Sequence, residues 1–172
     1  MRALLVSALM LLLAACGNVP VEHYRDQTPT LDLPQFFTGQ TQASGIFQKR
    51  SGEVAKRFKV TINGHMQGKN LILDERFVYS DGTLQQRTWT LVPQGNGRWQ
   101  GTAGDVIGVA EGQVAGNTLH WRYTLDLEVD GTRHPVQLDD WMFLMDDHTL
   151  VNRSYMSKFG IEVGQISLFF TR

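Results

Sequence analysis

From Gly45 onward, apolar and polar residues alternate in short runs separated by turn signals. Phe58, Val60 and Ile62 alternate with Arg57, Lys59 and Thr61. Leu119, Trp121, Tyr123, Leu125, Leu127 and Val129 alternate with His120, Arg122, Thr124, Asp126 and Glu128. A period of two puts the apolar set on one face and the polar set on the other, which predicts half-buried strands. Asn63-Gly64, Asp81-Gly82, Gly95-Asn96-Gly97, Gly116-Asn117, Asp130-Gly131, Asp146-Asp147 and Phe159-Gly160 punctuate these runs. Their recurrence at intervals of roughly 8 to 12 residues is the spacing of an all-β sandwich or barrel. No segment of comparable length keeps a helical period, and only a short helical turn is expected, around Leu33–Phe37.

About nine or ten strands joined by short hairpins, with no long crossover, predict an up-and-down antiparallel sheet that closes or nearly closes. A barrel of that size has room for side chains and one small ligand. A membrane-spanning barrel would need an apolar outer face. Here the outer faces carry Lys, Arg, Asp and Glu.

The N-terminus follows a different pattern. Met1 and Arg2 give a short positive start, and residues 3–15 are a continuous stretch of Ala, Leu, Val, Ser and Met. That stretch is too short for a spanning helix, which needs about 20 residues, but suits a signal-peptide core. It ends in Leu13-Ala14-Ala15-Cys16, which resembles the bacterial lipobox. The resemblance implies cleavage before Cys16, acylation of its thiol and a membrane partner reached through the lipid. Gly17 in place of Asp after the cysteine favours the outer membrane, periplasmic face, in a Gram-negative source. Residues 17–33 are polar, contain Pro20 and Pro29 and show no apolar period, so they read as a tether. The expected organisation is a signal peptide over 1–15, a lipid-anchored tether over 16–34 and a barrel over 35–172.

Composition narrows the function classes. With 172 residues, 42% hydrophobic, the chain is long enough for one cored domain and too apolar for intrinsic disorder. A net charge of -1 argues against nucleic acid as a partner. A single Cys excludes an internal disulfide and any zinc site built on several thiolates. His23, His65, His120, His134 and His148 fall in the tether, turns or outer faces and show no metal-ligand spacing, so they read as solvated. There is no Gly-x-Ser-x-Gly elbow and no phosphate loop. Neither a metal, a cofactor nor an enzymatic activity is expected.

Polar residues on apolar faces are the candidate chemistry. Glu75 lies among Leu71, Leu73, Phe77 and Tyr79, and Arg87 shares a face with Trp89 and Leu91. A three-residue loop at Ser80-Asp81-Gly82 sets Glu75 opposite Arg87 and Leu73 opposite Trp89. The two charges would form a bidentate pair inside the barrel. It reads either as a structural ion pair fixing register, as an anchor for the head of an amphiphilic ligand, or as a catalytic carboxylate. A two-residue turn at Asp130-Gly131 places Leu125 opposite Val136, Tyr123 opposite Leu138 and Trp121 opposite Asp140. Asp140 would then point inward beside an indole N–H that needs an acceptor. Gly104, Gly108, Gly112 and Gly116 recur every four residues on one strand face. Such a strand either bends at a barrel corner or leaves interior space.

Several runs resemble one family of bacterial lipoproteins, domain-of-unknown-function family 3833. They are Phe36-Phe37-x-Gly39, Phe77-Val78-Tyr79 leading to Asp81-Gly82, Arg87-x-Trp89, Gly101-Thr102-Ala103-x-Asp105-Val106-Ile107-Gly108-x-Ala110, Asp139-Asp140-Trp141-Met142 and Lys158-Phe159-Gly160. The resemblance implies a lipocalin-like barrel, a lipid anchor and no known cofactor, and it transfers no catalytic residue. The combined expectation is an outer-membrane lipoprotein binding a small apolar or amphiphilic molecule, such as a fatty acid or envelope lipid. Its contacts would be Glu75, Arg87, Trp89, Trp121, Tyr123 and Asp140. The alternative is a non-enzymatic scaffold with a solid barrel.

Overall fold

The computed structural model describes residues 19–129 and 131–172, so the signal peptide, Cys16, Gly17 and Asp130 lie outside the described residues. Ten antiparallel strands close into a barrel in which every sequence neighbour pairs and the last strand returns to the first. They are β1 (Gly39–Lys49), β2 (Val54–Gln67), β3 (Asn70–Tyr79), β4 (Leu84–Gly95) and β5 (Arg98–Thr102), then β6 (Val106–Ala115), β7 (Thr118–Val129), β8 (Thr132–Asp146), β9 (Thr149–Lys158) and β10 (Ile161–Thr171). Closure gives each described strand a hydrogen-bonded neighbour on both sides, which limits edge-to-edge aggregation. The ladder is interrupted toward the β5–β6 connection, where residues 84–89 of β4 and 106–109 of β6 have no β5 partner. The alternation sets the faces: on β7, Leu119, Trp121 and Leu125 are buried while Arg122 and Glu128 are exposed.

Two hairpins fix the registers that matter. Between β3 and β4, Gly82 N–H donates to the Tyr79 carbonyl at 3.0 Å and Tyr79 N–H to that of Thr83 at 2.9 Å. The left-handed backbone of Gly82, with φ 86°, is the conformation this loop requires. Glu75 therefore pairs with Arg87 and Leu73 with Trp89. Between β7 and β8 the register places Leu125 opposite Val136, Tyr123 opposite Leu138 and Trp121 opposite Asp140.

One end of the barrel is plugged. The helix α1 (Leu33–Phe37) starts at Asp32, whose side chain accepts from Gln35 N–H at 2.8 Å, with Pro34 in its first turn. Leu33, Phe36 and Phe37 are all buried, and Phe37 meets Phe170 edge to face at 6.0 Å. Upstream, a 3-10 turn at Val21–Tyr24 buries Val21, and Leu31 N–H donates to the Gly116 carbonyl at 2.9 Å. The described part of the expected tether is thus packed structure. Its sparse apolar residues, Val21, Leu31 and Leu33, lack a period because they bridge the barrel rim irregularly. Tyr24 also packs edge-on against Trp141 and Phe143, covering an apolar patch on the outer face of β8.

Candidate functional site

The opposite end is formed by the β1–β2, β3–β4, β7–β8 and β9–β10 turns and by the β5–β6 connection. Leu84, Val129, Phe159 and Ile161 are exposed at or near it, and Phe159 is 88% accessible. Between this mouth and α1 the barrel encloses a cavity of about 930 Å³. Apolar side chains supply most of its wall, including Phe58, Phe77, Leu138, Met156 and Ile166. Trp89 packs edge-on against Trp121 at 5.8 Å and Tyr123 at 5.3 Å, so the three rings form one aromatic cluster on that wall.

At mid-height the wall turns polar. Glu75, Arg87, Trp89, Trp121, Tyr123 and Asp140 all line the cavity, as the alternation predicts. Their bonding differs from the expectation at two points. Arg87 and Glu75 are register neighbours, but Nη1 and Oε2 stand 3.9 Å apart. The bidentate partner of Arg87 is Asp105: Nε donates to Oδ1 at 2.9 Å and Nη2 to Oδ2 at 2.6 Å. Planar guanidinium and carboxylate groups match in this fork, and Glu75 is left beside it. Asp105 sits between β5 and β6, where no alternation marks a strand. A signal existed all the same. Carrying the β4–β5 register three residues beyond Thr90 and Thr102 brings Asp105 opposite Arg87.

Asp140 is the second departure. It points inward as expected, but its Oδ1 makes no well-formed hydrogen bond among the described residues, the Trp121 indole included; the Ser154 and Tyr123 hydroxyls are the donors that act on its carboxyl. Trp121 instead lies between Gly101 and Gly112, where a Cβ at either position would run into its ring. Gly112 therefore seats an indole and leaves no free space. Gly108, in the left-handed region with φ 74°, marks the irregular register where β6 bends away from β7. Bending and ring-seating, not a ligand gap, explain these two glycines.

The neighbours of Asp140 share its condition. Ser154 faces it across β8 and β9, and Asn152 follows on the same face of β9. Asn152 is 1% exposed and Ser154 2%; Asn152 Oδ1 and Ser154 Oγ also lack partners among the described residues. Buried polar atoms are nearly always satisfied, so three such atoms on one cavity wall are unusual. Sequence reading missed Asn152 and Ser154. Their places among Leu150 and Met156 on an inward face were the available signal.

Burial dominates the electrostatics of this belt. Desolvation pushes the Glu75 carboxyl up to about 7, with Arg87 opposing and Asp105 and Asp140 adding. Desolvation likewise raises Asp140 to about 7, against the pull of the Ser154 and Tyr123 hydroxyls and of Arg87. Tyr123 is pushed well above its ordinary value by burial first and by Asp140 second. One expected surface histidine also differs. His120 stacks on Trp141 at 4.0 Å and bonds the Asp139 carboxylate through Nε2 at 2.9 Å.

A family model described as "Protein of unknown function (DUF3833)" matches residues 10–172. The chain belongs to this family. No curated protein matches its sequence. Among solved structures, the S-type phycobiliprotein lyase CPES from Guillardia theta is similar, with a TM-score of 0.58 and 7% identity, over 82% of this chain and 91% of that one. That likeness shows a shared lipocalin-like fold. A de novo designed fluorescence-activating β-barrel gives a TM-score of 0.44 and 12% identity over 83% of this chain and 98% of that one.

Proposed function

We propose that this DUF3833 member is a lipid-anchored binding protein of the periplasmic face of the outer membrane. Its barrel holds one apolar or amphiphilic molecule of the envelope, with an acyl chain in the cavity. The cavity of about 930 Å³ carries this reading. It falls within the range of small-molecule sites, roughly 300–1,000 Å³, and combines a mostly apolar wall with a few convergent polar groups. Entry of an acyl chain removes apolar surface from water at roughly 25 cal/mol per Å². The scaffold alternative calls for a solid interior, and this space counts against it. Arg87 is engaged by Asp105, so it is poorly placed to hold a free carboxylate head.

The anchor rests on Leu13-Ala14-Ala15-Cys16 and on Gly17. Cys16→Ser is expected to abolish acylation, and globomycin to accumulate the precursor. Normal processing under globomycin, with protein free of membranes, would overturn this part. Mass spectrometry of extracts from the purified protein is expected to show a co-purifying lipid, and Trp89 and Trp121 fluorescence to respond saturably when that lipid is returned. Absence of binding across fatty acids, lysolipids and phospholipids would return the protein to the scaffold class.

A further inference from the structure

The structure assigns a side gate to the cavity: a seam in the barrel wall between β4 and β6, latched by the Arg87–Asp105 fork. The gate rests on the cavity being a binding site and concerns how an acyl chain is admitted to it. β5, Arg98–Thr102, is the shortest strand and does not span the full height of the wall. It pairs with residues 90–95 of β4 and with residues 110–113 of β6. Toward the mouth, residues 84–89 of β4 pair with β3 alone among the described residues. Residues 106–109 of β6 have no β5 partner there either.

The segment covering this seam, residues 103–109, is tied by backbone bonds on one side only. Val106 and Ile107 pair with Leu125 and Thr124 of β7, and Asp126 N–H donates to the Asp105 carbonyl at 2.8 Å. Beyond Ile107 the β6–β7 register is broken as far as Glu111. Across the seam the tie is a side chain, the Asp105 carboxylate in the Arg87 fork at 2.9 and 2.6 Å. A ladder divides its strength among many bonds, whereas one charge-assisted fork is made or broken in a single step. Segments held by few bonds are the ones that open locally while the rest of a fold stays intact. Gly104 leaves room for the movement, since a Cβ there would meet nothing within 4 Å.

Both sides of the seam suit an acyl chain. On the outside, Leu84, Ile107 and Val109 are 59%, 50% and 53% exposed, apolar lips flanking the latch. On the inside, Gln85, Arg87 and Asp105 line the cavity. Trp89 of the aromatic cluster follows two residues beyond Arg87 on the same face. Release of the latch therefore extends the mouth as a slot down to the depth of that cluster. A chain slides sideways into such a slot while a bulky polar head stays in water. Passage of the whole molecule along the barrel axis would instead desolvate the head.

The test uses a chain beginning at Gly17, which keeps every described residue and contains no cysteine. Carrying the β4–β5 register two residues past Thr90 and Thr102 sets Thr88 opposite Gly104, and both are exposed. Thr88→Cys with Gly104→Cys, bridged by a short bismaleimide, locks the seam; the same protein treated with a monofunctional maleimide is the control. Stopped-flow tryptophan fluorescence follows dodecanol and a dodecanoyl lysophospholipid below micelle-forming concentrations. The bridge is expected to slow lysolipid binding and release about tenfold, and dodecanol less, because a small head passes the mouth. Asp105→Asn, which weakens the fork, is expected to raise both lysolipid rates about fivefold while their ratio moves far less. Thermal melts establish that this variant folds; where it does not, the bridged protein decides alone. Bridged protein with the rates of the control, or folded Asp105→Asn with wild-type rates, overturns the gate while the binding-protein reading stands. Failure of both ligands to bind the unmodified protein overturns the gate and that reading together.

Discussion

Arg87 gives the belt its charge balance, and its two carboxylate neighbours are unequal. Asp105 takes the bidentate fork, and Glu75 stands at 3.9 Å with its carboxyl near neutrality. Removing one partner of a buried pair strands the other, at a cost of about 3–5 kcal/mol. Arg87→Met is therefore expected to destabilise by roughly 3 kcal/mol, less for the partial exposure of Asp105. In double-mutant cycles in urea, coupling between Arg87 and Asp105 should exceed that between Arg87 and Glu75. Equal couplings would contradict the fork. The raised carboxyls make a second prediction. Glu75 and Asp140 hold protons up to about pH 7 in the folded state, but only to about pH 4 in the unfolded chain. Between those values the folded state binds more protons, so this contribution to stability is full at low pH and falls as pH rises through 7. Glu75→Gln and Asp140→Asn should flatten that slope. Asp140→Asn should gain about 1–3 kcal/mol over wild type at pH 8. Urea titrations at pH 5 and pH 8 measure both.

At the scale of elements, the strands were legible and their connections less so. Alternation over residues 119–129 marks β7 and its inward face, and Ser80-Asp81-Gly82 dictates a loop that sets Glu75 against Arg87. The register of Trp121 opposite Asp140 was legible in the same way, from the Asp130-Gly131 sequence between the two strands. Asp105 escaped because it lies between strands, where period carries no information. Asn152 and Ser154 escaped because a lone polar residue on an inward face resembles a satisfied core group until its partners are known. The N-terminal plug escaped for a third reason. Its contacts are to distant segments: Leu31 to Gly116, and the Arg172 guanidinium to the Gln35 carbonyl. Phe37 anchors the plug through Phe36 and Phe170. Phe37→Ala should therefore cost about 3–5 kcal/mol, seen as a lower urea midpoint. Asp32→Ala, which removes only the helix cap, should cost about 1 kcal/mol.

For the whole molecule, the decisive feature is the parity of the strand count together with the plug. Ten strands bring both ends of the barrel's strand order to the same rim, and the segment from Val19 to α1 packs there. Three residues of chain reach about 10 Å at most, which would be the whole leash between Val19 and the lipid proposed on Cys16. With the proposed anchor in place, the molecule would stand on its plug like a cup on its base. Its opening, with Phe159 and Ile161 on the lip, would then face away from the proposed bilayer. A fluorophore at Gly160→Cys on acylated protein should escape quenching by brominated acyl chains, and one at Met66→Cys should not. Cargo would then be loaded from, and handed to, something across the aqueous gap, with the anchoring membrane serving as the floor and not the source.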